Sequence, residues 1–332
     1  MKHRTFVVTS TVVMFVMTGV VAGLALYSTI AVKASIPGVP DSVAFLPPDS
    51  QAVFGMNVQK FVASPVYARF EQKHGQEFGS DLAEFIAKTG VDPRRDVHYI
   101  IAAGKSVDNS KGTGVIIAEG TFNLAGITSF VSARPGAIKL DYNGVTVWMI
   151  PEQNGSSIEK GVALINDTEI ALGELSSLKT VLDIRKNKSQ SVLDNPTLGP
   201  LIKSLNPEEM FWFAGDPTNV LSKAPTNTPL GGNITSIANV FGTLNLTNEV
   251  AGKITVTAKD EVAAGKLADV AKGLLALASL ASDQNPQLGE LLKGIIIQQD
   301  KTQILLKLNF PFELLDQLDQ LHKPAAAAKK VA

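Results

Sequence analysis

A run of 28 uncharged residues near the start of the chain constrains its architecture more than any other feature. At 1.5 Å per residue, a helix over residues 5–32 would span about 42 Å, whereas the hydrocarbon core of a bilayer is roughly 30 Å thick. A secretory signal needs an apolar core of only about 7–15 residues. Residues 1–34 are therefore predicted to hold a cytoplasmic start and an uncleaved transmembrane helix. A cleaved signal is the alternative, because Val32-Lys33-Ala34 before Ser35 is similar to a small-residue cleavage site.

The charges around this run predict its orientation. Lys2 and Arg4 precede it, and only Lys33 follows it closely. Positive charge tends to remain on the cytoplasmic side of a membrane. The sequence thus predicts a single-pass membrane protein with its N-terminus in the cytoplasm, and an extracytoplasmic, periplasmic body of about 300 residues.

Composition excludes several classes of protein. Hydrophobic residues make up 45% of the 332-residue chain and charged residues 18%, which is typical of a folded core rather than of disorder. Beyond residue 34 there are 27 basic and 31 acidic residues, so nucleic acid is not a predicted partner. The chain contains no cysteine, which excludes disulfides, thiol nucleophiles and thiolate metal sites.

Proline and the apolar pattern divide the rest of the chain. Residues 35–50 contain four prolines and are predicted to form a semi-rigid stalk. Residues 51–188 and 189–323 are predicted to be two successive α+β units, and the Ala- and Lys-rich residues 324–332 a disordered tail.

Each predicted unit repeats one order of elements, in which strands are followed by a helix, a hairpin and a closing helix. Single strands are predicted at residues 51–58, 97–103, 114–120 and 210–214, the last buried on both faces, and paired strands at 137–150, 162–173, 238–259 and 295–309. Helices are predicted at residues 59–72, 81–89, 123–133, 175–188, 196–205, 261–281 and 312–322. The predicted fold class is α+β, with two similar units of antiparallel sheet and helices packed on one face. Duplication is one interpretation of the repeated order, and similar topology without common descent is the other.

The common sequence motifs of nucleotide-binding, hydrolase and zinc sites are missing. The chain has no G-x-x-x-x-G-K-[ST], G-x-G-x-x-G or G-x-S-x-G pattern, and its four histidines are too widely spaced for a zinc pair on one helix. The cluster from Asp92 to Asp96 could bind an anion, but a turn from helix to strand with local ion pairs is the favoured interpretation. No catalytic residue, cofactor site or metal site is predicted.

One partial motif is that of penicillin-recognising serine enzymes, which use S-x-x-K, S-x-N and K-T-G. The chain contains Ser176 with Lys179, but Lys88-Thr89-Gly90 comes too early and is predicted to close a helix. Since the chemistry needs that triplet on a strand beside the pocket, this class of enzyme is disfavoured.

The start of the body resembles a known group of proteins. Leu46-Pro47-Pro48-Asp49-Ser50, followed by Val53–Val58 and by Ser64-Pro65, is similar to the "LPADT…VNV…SP" opening of uncharacterised bacterial proteins anchored by one N-terminal span. Residues 89–97 (TGVDPRRDV) resemble a second block of that group, while Pro48 stands where the group usually has Ala. The resemblance implies a membrane-anchored envelope protein with an α/β body, and it implies no activity.

Two functions remain open from the sequence. The favoured one is a non-catalytic envelope protein that binds a protein partner or an apolar ligand, or that self-associates. The alternative is an envelope hydrolase with a site assembled from scattered Asp, Glu, Ser and His. Residues 273–282, which include the second half of the helix at 261–281, carry no charge, so Ala276 and Leu280 are predicted to contact a partner, unless the helix at 312–322 or a loop covers them.

Overall fold

A computed structural model describes residues 40–107, 111–150, 160–206, 208–221, 231–281 and 286–314. The predicted anchor, residues 35–39 of the predicted stalk, the predicted helix at 312–322 beyond residue 314 and the predicted tail lie outside these residues. The remainder of the predicted stalk, residues 40–50, is packed into the body rather than extended away from it, because Val43 and Leu46 are fully buried in the core.

All strands of the described chain join one antiparallel sheet of twelve strands, in the order β11-β12-β10-β9-β8-β1-β2-β3-β7-β6-β5-β4. The strands are β1 (Ala52–Asn57), β2 (Val97–Val107), β3 (Lys111–Gly120), β4 (Ile138–Tyr142), β5 (Val145–Ile150), β6 (Lys160–Asn166), β7 (Glu169–Glu174), β8 (Phe211–Gly215), β9 (Ile237–Leu246), β10 (Glu249–Ala258), β11 (Ile295–Asp300) and β12 (Gln303–Pro311).

Nine α-helices accompany this sheet in the described residues. They are α1 (Val58–Val62), α2 (Pro65–Thr89), α3 (Pro93–Asp96), α4 (Leu124–Ser132), α5 (Leu175–Asn187), α6 (Leu198–Ser204), α7 (Thr218–Leu221), α8 (Glu261–Ala281) and α9 (Pro286–Lys293). Short 3-10 turns occupy Asp41–Phe45, Val192–Asp194 and Gly231–Ser236. The predicted α+β class with an antiparallel sheet and packed helices is confirmed.

The two predicted sets of strands lie at the two ends of this one sheet. β1, β2 and β3 form a meander, and after α4 the strands β4 to β7 return so that β7 pairs with β3. In the second set β8, β9 and β10 form a meander, and after α8 and α9 the hairpin β11–β12 returns to β10. The sets join where β1 pairs with β8, from Ala52 opposite Gly215 to Met56 opposite Phe211.

Helices lie on both faces of the sheet, so the prediction of helices on one face is wrong. The pairing register places Ile101, Ile117 and Trp212 on one face, where α5 and α6 pack. The neighbouring positions, including Met56 and Ile100, face the opposite side, where α1 and α4 pack. In the central strands both alternating sets of positions, one for each face of the sheet, carry apolar residues. Helices must therefore pack on both faces to bury them.

The strand β8 departs from its prediction in a similar way. Trp212 and Ala214 are fully buried, whereas Phe211 and Phe213 on the opposite face are only half-buried. The uninterrupted run of apolar residues in β8 therefore does not correspond to full burial on both faces of the sheet. The ring of Phe211 is packed instead against the rings of Phe54 and Phe61, with centroids 5.9 and 5.7 Å away.

Local signals in the sequence explain the ends of several elements. Asn123 caps α4, since its side-chain oxygen accepts a hydrogen bond from the N–H of Gly126 at 3.1 Å. In the β4–β5 turn Asn143 and Gly144 have φ angles of 57° and 83°, which the predicted Asn-Gly turn requires.

One predicted pair of helices is wrong. Residues 59–72 and 81–89 were predicted as separate helices, whereas α2 runs unbroken from Pro65 to Thr89, preceded by the short α1. Ser64 caps α2 by accepting from the N–H of Tyr67 at 3.2 Å, and Pro65 occupies the first turn, where its missing N–H costs nothing. The new start therefore lies inside the first predicted helix.

Candidate functional site

The helix α8 has the predicted bounds and is held firmly along its inner side. Asp260 caps it by accepting from the N–H of Ala263 at 2.7 Å. Ala264, Leu267 and Ala268 are buried against the end of the sheet formed by β10, β11 and β12. The direction in which its outer face points is thus fixed by the core.

The outer face of α8 changes character along its length. Lys266 and Asp269 keep the first half polar, as predicted. In the second half Leu277 and Leu280 are 64% and 72% exposed, and Ala276 is exposed beside them. Exposure of one leucine is ordinary, but several on the charge-free half of one helix form an apolar strip.

Two further residues belong to this face and were not identified from the sequence. Val262 is 68% exposed in the first turn of α8, and Gly273 is exposed midway between Val262 and the strip. Val262 and Gly273 share a regular helical spacing with Ala276 and Leu280, and this spacing is the sequence signal that could have identified them. We call the six residues Val262, Lys266, Asp269, Gly273, Ala276 and Leu280 the α8 seam.

No described residue covers the second half of the seam. The C-terminal segment, one of the predicted covers, is described only to Leu314. Leu314 is buried with Val250 and Phe310. Phe312 packs against α2, where the guanidinium of Arg69 lies 4.8 Å from its ring centroid. The described end of the chain thus lies against α2, β10 and β12 rather than on the seam.

A small polar pocket lies where β2 and β3 approach the start of α5. Its volume is about 70 Å³, which is enough for a few water molecules. Lys105 and Asp49 form an ion pair at its rim. Hydroxyl groups dominate the remainder of its polar lining, from Ser50, Thr113, Ser176, Ser177 and Thr180. A pocket of this size is too small to enclose a typical enzyme substrate.

The partial serine-enzyme motif does not form a catalytic pair in the described structure. Ser176 lines the small pocket, whereas the ammonium of Lys179 lies 5.3 Å from the centre of the Tyr142 ring. Thr89 closes α2 as predicted, with its hydroxyl donating to the carbonyl of Phe85, and Gly90 follows in a left-handed conformation at φ 71°.

The charged cluster from Asp92 to Asp96 is a helix-capping turn whose two cations already have carboxylate partners. Arg94 donates to both carboxylate oxygens of Asp92, at 3.0 and 2.9 Å, and also to Glu71. Arg95 donates to Asp96. These hydrogen bonds lower the pKa values of Asp92 and Asp96. The ion-pair interpretation of this cluster is therefore favoured over an anion site.

The most buried carboxylate is also paired. Arg185 donates to both oxygens of Glu169 at 2.7 and 2.6 Å, and its guanidinium stacks 4.2 Å from the centre of the Phe45 ring. Burial raises the pKa of Glu169, and the positive charge of Arg185 opposes that rise. This pair ties β7 to α5 and to the turn at Asp41–Phe45, which is a structural role.

The described residues contain neither a metal site nor a membrane-spanning helix. They contain no group of three or more His, Asp or Glu side chains placed to hold a metal ion. Within the same part of the chain, no helix combines the length and the apolar character needed to cross a bilayer.

Comparisons with known proteins give little to add to this geometry. Neither a protein-family description nor a curated protein matches the chain. Among solved structures, crystal form I of TP0453 is 12% identical, with a TM-score of 0.44, and covers 87% of this chain and 99% of its own. Crystal form IV of TP0453 is 10% identical, also with a TM-score of 0.44, and covers 83% of this chain and 95% of its own. Likeness at this level carries no functional conclusion.

Proposed function

We propose that the protein is a non-catalytic, membrane-anchored envelope protein whose body binds a partner through the outer face of α8. The observation that carries this proposal is the exposure of Leu277 and Leu280, at 64% and 72%, on a helix whose first half is packed against the sheet through Ala264, Leu267 and Ala268. Burying a leucine side chain contributes about 1.5–3 kcal/mol, so a partner that covers both gains several kcal/mol.

The absence of the common catalytic sequence motifs supports a binding role for the protein rather than a catalytic one. The described residues offer a pocket of about 70 Å³, and the charged groups of the Asp92–Asp96 cluster and of Glu169 are used in ion pairs. A hydrolase would need a nucleophile or a paired acid and base around a cleft that holds substrate.

A membrane location is part of the proposal. Residues 5–32 form the anchor, and the body lies on the periplasmic side. Only residues 33–39 separate this run from the described chain, so residue 40 lies within about 25 Å of the membrane, at 3.3–3.6 Å per extended residue. The body is thus tethered to that membrane by a short segment.

A turnover screen tests the non-catalytic part. The full-length protein in detergent micelles is incubated with generic ester, glycoside and peptide substrates, and no reaction above a heat-inactivated control is expected. Reproducible turnover that is lost in Ser176→Ala or in another single pocket variant would contradict the proposal and favour the hydrolase.

Extraction of membranes at alkaline pH tests the anchor. The protein is expected to stay in the membrane pellet, because a 28-residue apolar helix spans the bilayer. Sequencing of the mature N-terminus is the companion measurement. A terminus at Ser35 would show that the first 34 residues are a cleaved signal and that the protein is released.

A further inference from the structure

The α8 seam has the spacing by which one helix packs along another. Its six residues are all exposed and are separated by intervals of 4, 3, 4, 3 and 4 positions along the chain. They are Val262, Lys266, Asp269, Gly273, Ala276 and Leu280. Alternating steps of three and four define the contact line of helices that pack side by side. Ala264, Leu267 and Ala268 pack against the sheet on the opposite side of α8, so within the described residues this contact line stays uncovered and accessible to a second helix.

The order of side chains along the seam selects its partner. Apolar residues stand at both ends, Val262 and Leu280, with two opposite charges and two small residues between them. A parallel copy of α8 would place Lys266 opposite Lys266 and Asp269 opposite Asp269, which opposes like charges in the centre of the contact.

An antiparallel copy removes these conflicts. With the two-fold axis between Asp269 and Gly273, Val262 lies opposite Leu280 of the other copy at both ends of the contact. Lys266 then lies opposite Ala276, where its aliphatic stem can cover the small side chain while its ammonium stays in water. Asp269 lies opposite Gly273 and next to Lys272 of the other copy, which has the opposite charge.

We propose that the partner of α8 is a second copy of this chain, which packs its own α8 antiparallel along the seam. The inference deepens the proposed function and rests on it. A two-fold contact uses the same patch on both molecules, so one surface explains the exposure of Val262 and of Leu280, which lie about 27 Å apart along the helix. Gly273 at the centre permits close approach, since a Cβ built there would meet no atom within 4 Å.

The size of the contact predicts weak association. Two helices in contact over about 27 Å bury roughly 1,000 Å², which is at the small end of specific protein interfaces. Anchors in one membrane would hold both copies at high local concentration and so favour the dimer without further contacts.

Cysteine cross-linking tests the arrangement directly, because the chain has no native cysteine. Full-length Val262→Cys and Leu280→Cys proteins are prepared in membranes, singly, mixed in equal amounts, and as one double variant, and are then mildly oxidised. Bridged cysteines need Cα atoms within about 7 Å, whereas identical positions at either end of an antiparallel pair are about 27 Å apart.

The expected result is a covalent dimer in the double variant, up to half as much in the mixture, and only background in either single variant. Lys186→Cys, exposed on α5, sets the background from random collision. Adding Gly273→Glu to the double variant should reduce the dimer at least tenfold without lowering the melting temperature, because that position is open in the monomer.

Two results would overturn the inference. Equal cross-linking of each single variant with itself would indicate a parallel or random contact. Background levels in every sample would mean that residues 315–332, lipid or a different protein covers the seam. Cover by residues 315–332 would also contradict the proposed binding role of α8, whereas equal self-cross-linking, or cover by lipid or by a different protein, would leave that role in place. The turnover screen tests the non-catalytic role separately.

Discussion

At the scale of single residues, Gly55 and Trp212 fix the junction between the two sets of strands. Trp212 of β8 is completely buried, its indole N–H donates to the hydroxyl of Tyr99, and its ring lies over Gly55 of β1. Burial raises the pKa of Tyr99, so this hydroxyl stays protonated at physiological pH. Any side chain at position 55 would occupy the space of the indole ring.

The variant Gly55→Ala tests this contact. Its methyl group would overlap the Trp212 ring, and overpacking of this kind costs about 1–3 kcal/mol or more. We expect a clear fall in the free energy of unfolding, measured by urea denaturation. The matched control is Gly79→Ala in α2, where a Cβ meets no atom within 4 Å, and it should stabilise the helix by up to about 1 kcal/mol. Equal stability of both variants would contradict the packing described for Trp212.

The Asp92 carboxylate predicts a specific dependence of stability on pH. Its hydrogen bonds from Arg94 lower its pKa in the folded protein, whereas the unfolded value is about 3.9. Because the folded pKa is the lower one, this stabilisation is complete above the unfolded pKa and is lost as pH falls through the folded value.

We therefore expect Asp92→Asn to melt below the parent at pH 7, and the gap in melting temperature to narrow as the pH falls below about 4. Melting curves of both proteins between pH 3 and pH 7 provide the measurement. Asp269→Asn is the control, since Asp269 is exposed and forms no ion pair with another described residue. A gap that stays constant with pH would show that the Arg94 pair does not contribute to stability.

At the scale of elements, the structure separates what local sequence signals determine from what they leave open. The bounds of α8 and the β4–β5 turn at Asn143-Gly144 were predicted, because capping and turn residues act over a few positions. The pairing of β1 with β8 was not predicted, because about 160 residues separate Gly55 from Trp212 and no local pattern encodes such a contact.

The same distinction applies to the candidate site. The lack of charge in residues 273–282 of the sequence predicted the contact role of Ala276 and Leu280, and the structure shows both to be exposed. Val262 was missed because Glu261 beside it, and Lys266 and Asp269 on the same face of the helix, are charged. Only the placement of Ala264 and Leu267 against the sheet shows that Val262 faces outward with Leu280.

A prediction at the element scale concerns the cap of α4. Asn123 satisfies the N–H of Gly126, so Asn123→Ala should lower the free energy of unfolding by about 1 kcal/mol. The matched variant Asn123→Asp keeps an acceptor and adds a favourable negative charge at the helix start, and it should stay close to the parent. Urea denaturation of the three proteins distinguishes them, and a harmless Asn123→Ala would rule out the capping role.

At the scale of the whole molecule, the two sets of strands form one continuous structure whose surface has an uneven distribution of apolar residues. The β1–β8 pairing and the Trp212 ring join the two ends of the sheet, so the body should unfold as one unit. In the end of the sheet that carries α8, large apolar side chains remain exposed on the outer helix surface at Val262, Leu277 and Leu280. Such a concentration is typical of a contact surface.

The molecular mass of the full-length protein in detergent micelles, measured by light scattering over a range of concentrations, tests this account most directly. The parent is expected to approach twice the monomer mass as concentration rises. Leu280→Asp should remain monomeric, with an unchanged melting temperature at low concentration, because it places a charge in the contact but touches no core residue. Asp269→Ala should change the association constant less than about fivefold, since exposed charge pairs contribute little. If the parent and Leu280→Asp show the same mass at every concentration, the α8 face does not mediate self-association and the account of the dimer is wrong.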